Sequence, residues 1–137
     1  MKQKPRSKPP KDGTGVDALL ARHGGLSYIE IPAIDPRRSA EFYEKVLGWR
    51  VQDGQTDHPK FMDQSGHLLG RWVTGRTIPR SPGLMPYFYV QHIEEAIVRV
   101  TAHGGTIAKA QYAEGNLWVA TIRDPAGNLI GLWQERG

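Results

Sequence analysis

Asp63-Gln64-Ser65-Gly66-His67-Leu68-Leu69-Gly70 returns 61 residues later as Asp124-Pro125-Ala126-Gly127-Asn128-Leu129-Ile130-Gly131. Each copy reads as a strand end, a tight turn and an apolar strand running into a glycine. Upstream of each copy lies a second pair. Tyr28 to Gly48, an extended segment followed by a helix, matches Met85 to Gly105 at an offset of 57. Repetition on this scale means one supersecondary unit used twice.

Outward from these landmarks, both halves take the same order. In the first, Leu26 to Ala33 alternates and is rich in isoleucine, which predicts a strand. Asp35-Pro36 then opens a helix, with aspartate as N-cap and proline at the first helical position. Phe42, Tyr43, Val46 and Leu47 form its apolar stripe, and Gly48 stands where a left-handed residue closes a helix. Short strands are predicted at Trp49–Val51, Lys60–Asp63 and His67–Val73. The second half repeats this with a strand at Pro86–Val90 and a helix over Ile93–His103, facing inward through Ile93, Ile97 and Val100. Strands follow at Thr106–Ala110, Leu117–Arg123 and Asn128–Gln134. The second helix start is less well capped, because Gln91-His92 replaces Asp35. The predicted fold class is α+β: two βαβββ modules, at 25–75 and 85–137, joined by a proline-containing linker at 76–84.

Charge divides the chain differently. Residues 1–24 hold six Lys/Arg against two Asp, whereas 25–137 hold twelve of each sign, so the net charge of +4 belongs to the tail. Residues 1–15 lack apolar periodicity and predict a basic, disordered tail, with room for two helical turns at Val16–His23. An electroneutral body argues against a nucleic-acid-binding domain, leaving only the tail as a tether. The 137 residues suffice for one domain with a real core. Without cysteine, disulfides, Cys-ligated zinc and thiol nucleophiles are excluded. No stretch reaches membrane-spanning length or resembles a signal peptide, so the expected compartment is the cytoplasm and no membrane partner is expected. Gly13-Thr14-Gly15 has no phosphate-loop context, and no serine sits in a nucleophile elbow.

The segments Tyr28-Ile29-Glu30-Ile31-Pro32, Asp35 to Trp49 and Asp124 to Trp133 resemble the vicinal oxygen chelate superfamily. That superfamily includes glyoxalase I, extradiol dioxygenases and bleomycin-resistance proteins. The resemblance covers roughly residues 25–135 and implies a curved mixed sheet forming a cup, with helices on the outer face. Alternation then sorts the side chains. With Ile31 and Ala33 toward the helix, Tyr28, Glu30 and Pro32 face the cup, and by the repeat so do Met85, Tyr87 and Tyr89. Matching the two glycine-ended strands letter by letter places Leu68, Gly70, Trp72, Leu129, Gly131 and Trp133 inward. Leu69, Ile130 and Arg71 then point to the helix side. The expected ligand-binding set is Tyr28, Glu30, Trp72, Met85, Tyr87, Tyr89 and Trp133, an aromatic surface suited to a flat organic molecule.

The resemblance also implies where a divalent ion would bind, on the first and last strand of each module. The matching positions are Tyr28, Gly70, Met85 and Gly131, which lack imidazole and carboxylate donors. His23, His58, His67, His92 and His103 all read as exposed structural positions. No metal and no cofactor are therefore expected. Glu30, desolvated among Tyr and Trp, would have a raised pKa and is the candidate catalytic base. Two functions follow from the resemblance. The leading one is a metal-independent module that holds a small apolar or aromatic molecule, as bleomycin-resistance proteins do, without chemistry. The other is a lyase, isomerase or dioxygenase-type enzyme using Glu30 or unrecognised metal ligands. Related chains dimerise, so a homodimer is expected, with ligand specificity in loops 52–60 and 111–116.

Overall fold

The β-propensity of Tyr28-Ile29-Glu30-Ile31-Pro32 and the capped run after Asp35 set the first module. The computed structural model, which describes residues 17–137, shows β1 (Tyr28–Pro32), α1 (Pro36–Leu47), β2 (Arg50–Gln52), β3 (Lys60–Met62) and β4 (Leu69–Val73). The second module follows as β5 (Tyr87–Tyr89), α2 (Ile93–Ala102), β6 (Thr106–Glu114), β7 (Leu117–Arg123) and β8 (Leu129–Glu135). Each module folds its strands into a four-stranded sheet, ordered β1-β4-β3-β2 and β5-β8-β7-β6. The first and last strands of each module pair in parallel and the other pairs run antiparallel. No described helix is long and apolar enough to cross a membrane.

The expected helix signals work as chemistry predicts. Asp35 has extended backbone angles and its carboxylate accepts the Arg37 N–H at 3.1 Å. Gly48, at φ 72°, ends the helix by donating to the Glu44 carbonyl at 3.0 Å. The poorly capped start of α2 is rescued from a distance. His92 makes no side-chain cap bond, but the Ile93 N–H donates to Gln134 Oε1 of β8 at 2.6 Å.

Both helices pack on one face of the sheets, and a single apolar core lies between. Its centre is a chain of rings: Tyr43 stacks on Trp49 at 4.6 Å between centroids, Trp49 on Phe61 at 4.4 Å, and Trp72 lies 4.9 Å from Phe61. Trp49 also meets Phe88 of β5 edge-on, which carries the core across the module boundary. Two polar ties cross the same boundary. Tyr43 donates its hydroxyl to Asp124 Oδ2 at 2.7 Å, and Asn128 Nδ2 donates to the Pro32 carbonyl at 2.7 Å.

Two expectations about the chain's ends and loops need revision. Residues 17–23 form a hydrogen-bonded turn, not two helical turns, with Leu20 and Ala21 N–H both donating to the Asp17 carbonyl. The tail at 1–15 lies outside the described residues. Segment 111–116 is not a loop, because β6 runs to Glu114 and β7 begins at Leu117. The β6 edge carries two register shifts against β7, around Lys109, which blunt it against edge-to-edge pairing.

Candidate ligand-binding site

The two repeated turns look alike in sequence but close differently. In module one the Asp63 N–H donates to the Leu68 carbonyl; in module two the Asp124 N–H donates to that of Asn128. The first loop is therefore one residue longer. Downstream of it the true correspondence shifts by one, pairing Arg71 with Gly131 and Trp72 with Leu132. Strand register confirms this, since Glu30 lies beside Arg71 and Ile31 beside Trp72, whereas Tyr87 lies beside Gly131 and Phe88 beside Leu132. A one-residue slip exchanges the faces of a strand.

That slip corrects the expectation for β4. Trp72 is only 3 % exposed and belongs to the core with Leu68, so it does not line the concave face. Gly70 also looks into the core, where a Cβ would lie 2.3 Å from both Phe61 Cζ and the Ile29 carbonyl oxygen. Arg71, expected on the helix side, instead shares the concave face with Glu30 and Leu69. The module-two assignments of face stand. Ile130 is buried in the core, and Tyr87, Tyr89 and Trp133 lie on the open face with Leu129 and Gly131.

Glu30 has an environment opposite to the expected one. Arg71 donates Nε and Nη2 to its Oε2 at 3.0 and 2.8 Å, and Arg76 donates Nη2 to its Oε1. Hydrogen bonds from Arg71 first and Arg76 second hold the carboxyl below its ordinary value, outweighing desolvation. A fixed carboxylate with both oxygens engaged is not a poised base, so the catalytic role expected for Glu30 is withdrawn. Arg71 and Arg76 are the site residues missed in the sequence. A lone glutamate on the concave face of β1, beside the one charged position of β4, was the available signal.

The opposite wall is aromatic. Tyr89 meets Trp133 edge-on at 5.0 Å between centroids. The Tyr87 ring lies against Gly131, where a Cβ would come within 2.2 Å of it. Between the modules runs a cavity of about 660 Å³, lined on this side by Leu26, Glu30, Pro32, Leu84, Met85 and Tyr87. A shallower hollow of about 320 Å³ continues from Tyr87 to Val119 and Trp133. The linker thus contributes apolar lining through Leu84, which is 92 % exposed. Tyr28 stands at the rim of β1, 53 % exposed.

The corrected register also sharpens the test for a divalent ion. The first- and last-strand positions are Tyr28, Arg71, Met85 and Gly131. A guanidinium repels a cation, a thioether suits soft metals, and the Tyr87 ring occupies the space a ligating side chain at Gly131 would need. Among the described residues no three His, Cys, Asp or Glu side chains gather. His67 and His103 are half-buried rather than exposed, and the His67 ring Nδ1 lies 3.0 Å from the Leu19 carbonyl oxygen. This donor set does not fit the ion that other members of the superfamily hold.

Paired βαβββ modules with helices outside and a concave face inside define a glyoxalase-type architecture. The glyoxalase-like domain family matches residues 28–133, and the chain belongs to that family, within the vicinal oxygen chelate superfamily. A glyoxylase-like domain-containing protein of Didymella fabae is 33% identical over 94 residues, covering 63% of this chain and 73% of its own length. Among solved structures, the genomically encoded fosfomycin resistance protein FosX of Listeria monocytogenes superposes with a TM-score of 0.65 at 18% identity, over 80% of this chain and 91% of that one. TnmS3, an antibiotic binding protein from Streptomyces sp. CB03234, gives 0.61 at 19% identity, over 81% and 94%. At such identities the likeness is one of fold.

Proposed function

We propose that this chain is a metal-independent binding protein that holds a small apolar or aromatic molecule between its modules. The observation that carries the reading is the wall itself. An apolar cavity of about 660 Å³ opens onto Tyr87, and the hollow beyond it onto Trp133, with no donor set for a divalent ion among the described residues. Flat rigid rings give broad contact at low entropic cost. TnmS3, an antibiotic binding protein of the same fold, agrees with a role in holding a small molecule. The enzyme reading through Glu30 has lost its base.

Tyr28, Tyr87 and Tyr89 are each about half exposed on the open face, at 53, 50 and 54 %. Closure of that face by a second copy would bury them, and a homodimer is part of the proposal.

A thermal-shift screen of flat aromatic compounds tests it, because any ligand of the folded state raises the melting temperature by mass action. Hits should lose their shift in Trp133→Ala and Tyr87→Ala while the unliganded melting temperature changes little. Light scattering should give twice the chain mass. Shifts that survive both substitutions would move the site elsewhere, and a monomer would remove the second copy.

A further inference from the structure

We infer that the concave face also carries an anion subsite, built by Arg71 and Arg76, so that the ligand joins an apolar body to a carboxylate. This rests on the reading of the cavity given above and names the chemistry of the ligand's polar end.

The charge balance at the clasp is uneven. Two guanidinium groups converge on one carboxylate, Glu30. The other charges nearby are already committed: Asp57 pairs with Arg37 at 3.2 Å, and Lys60, opposite Arg71 on β3, lies 3.9 Å from Asp53. His58 is the remaining titratable group in the recess. One positive charge is left without a matching anion.

Donor capacity points the same way. A guanidinium presents five N–H groups in a planar fork suited to a carboxylate. Arg71 spends Nε and one Nη2 hydrogen on Glu30, and Arg76 spends one Nη2 hydrogen. Nη1 of both residues and Nε of Arg76 meet no acceptor among the described residues. Arg71 and Arg76 border a polar recess of about 570 Å³ that Asp57 and His58 also line, while Glu30 borders the apolar cavity. The clasp is thus the partition between an apolar compartment and a donor-rich one. A ligand spanning the partition would place its body against Met85 and Tyr87 and its carboxylate on the arginines.

Calorimetric titration of the full chain with 2-naphthoate and the isosteric neutral 2-naphthamide tests this. Naphthoate should bind about tenfold more tightly, a preference that salt reduces because both arginines are half exposed. Arg76→Gln should abolish the preference by weakening naphthoate binding about tenfold. Glu30→Gln should enlarge it, because a competing internal carboxylate is gone. These shifts run in opposite directions, so general loss of folding cannot imitate them. Equal binding of the two probes to the unaltered chain overturns the anion subsite and leaves the apolar cavity reading intact. Failure of both probes to bind overturns both.

Discussion

Trp72 and Trp133 hold the same place in the repeated sequence and opposite places in the fold. The first is sealed in the core against Tyr43 and Phe61; the second stands on the open face beside Tyr89. One extra residue in the turn after Asp63 accounts for the exchange, and its consequences spread along the strand. Module one turns Glu30 and Arg71 toward the concave face, whereas module two turns Tyr87, Gly131 and Trp133. Duplicated modules can therefore specialise without changing their motifs. The register shift puts Arg71 rather than Trp72 on the concave face, and residue identity does the rest, with Glu30 in module one where Tyr87 stands in module two.

The tryptophan pair offers the largest effect. Trp72→Ala removes a ring that fills the centre of the core, and should lower stability by about 3–5 kcal/mol, read from urea midpoints. Trp133→Ala should cost about 1 kcal/mol or less, since its ring is partly open to solvent. Equal costs for the two would dissolve the distinction between the walls.

What the sequence made legible, and what it hid, follows the same line. Asp35, the Phe42/Tyr43/Val46 stripe and Gly48 carry their meaning locally, so α1 was readable to within its caps. The alternation of β1 and β5 was readable because Ile31 and Phe88 lie at the same offset and both face the core. The β4 assignment failed because similarity of Asp63–Gly70 to Asp124–Gly131 was taken as equality of register. Loop length, which letters do not display, sets which residues of the two strands correspond. Plain alternation, with Arg71 outward to water and Trp72 inward, carried the right answer within β4 itself. Contacts made across the chain had no local signal: Gln134 capping α2, or Arg76 reaching Glu30.

Two carboxylates, Asp124 between the modules and Glu30 on the concave face, respond to acid in opposite senses. Burial pushes the Asp124 carboxyl above its ordinary value of 3.8, against the hydrogen bonds from Asn128 and Tyr43. Its contribution is therefore complete below the unfolded value and is lost as pH rises through the folded one. Glu30, held below its ordinary value of 4.5, contributes above that value and loses the contribution as pH falls through the folded one. Asp124→Asn should destabilise by about 2–3 kcal/mol near neutrality, because an amide nitrogen would face the Tyr43 hydroxyl or Asn128 Nδ2. The gap between wild type and this variant should widen between pH 7 and pH 4, while that for Glu30→Gln narrows toward still lower pH. Urea midpoints across this range check both signs, and parallel curves would contradict the assigned environments.

The smallest effect tests which feature sets the register. Replacing Gln64-Ser65-Gly66-His67 by Pro-Ala-Gly would give module one the shorter loop of module two. Asp63 already accepts backbone N–H groups from Gly66 and Leu68, much as Asp124 accepts those of Ala126, Gly127 and Asn128. The exchange forfeits the bond from Gln64 to the Gly48 carbonyl and the His67 contact with Leu19, each exposed and worth about 1 kcal/mol or less. Against that stands the burial of Leu68 and Trp72, whose loss would cost several times more. The strand should keep Leu68 paired with Asp63 and Trp72 inside, with the shorter loop absorbed in the turn. Tryptophan emission and near-ultraviolet circular dichroism should then match the parent. A red-shifted emission would mean that the loop, and not the core, chooses which face of β4 meets the ligand.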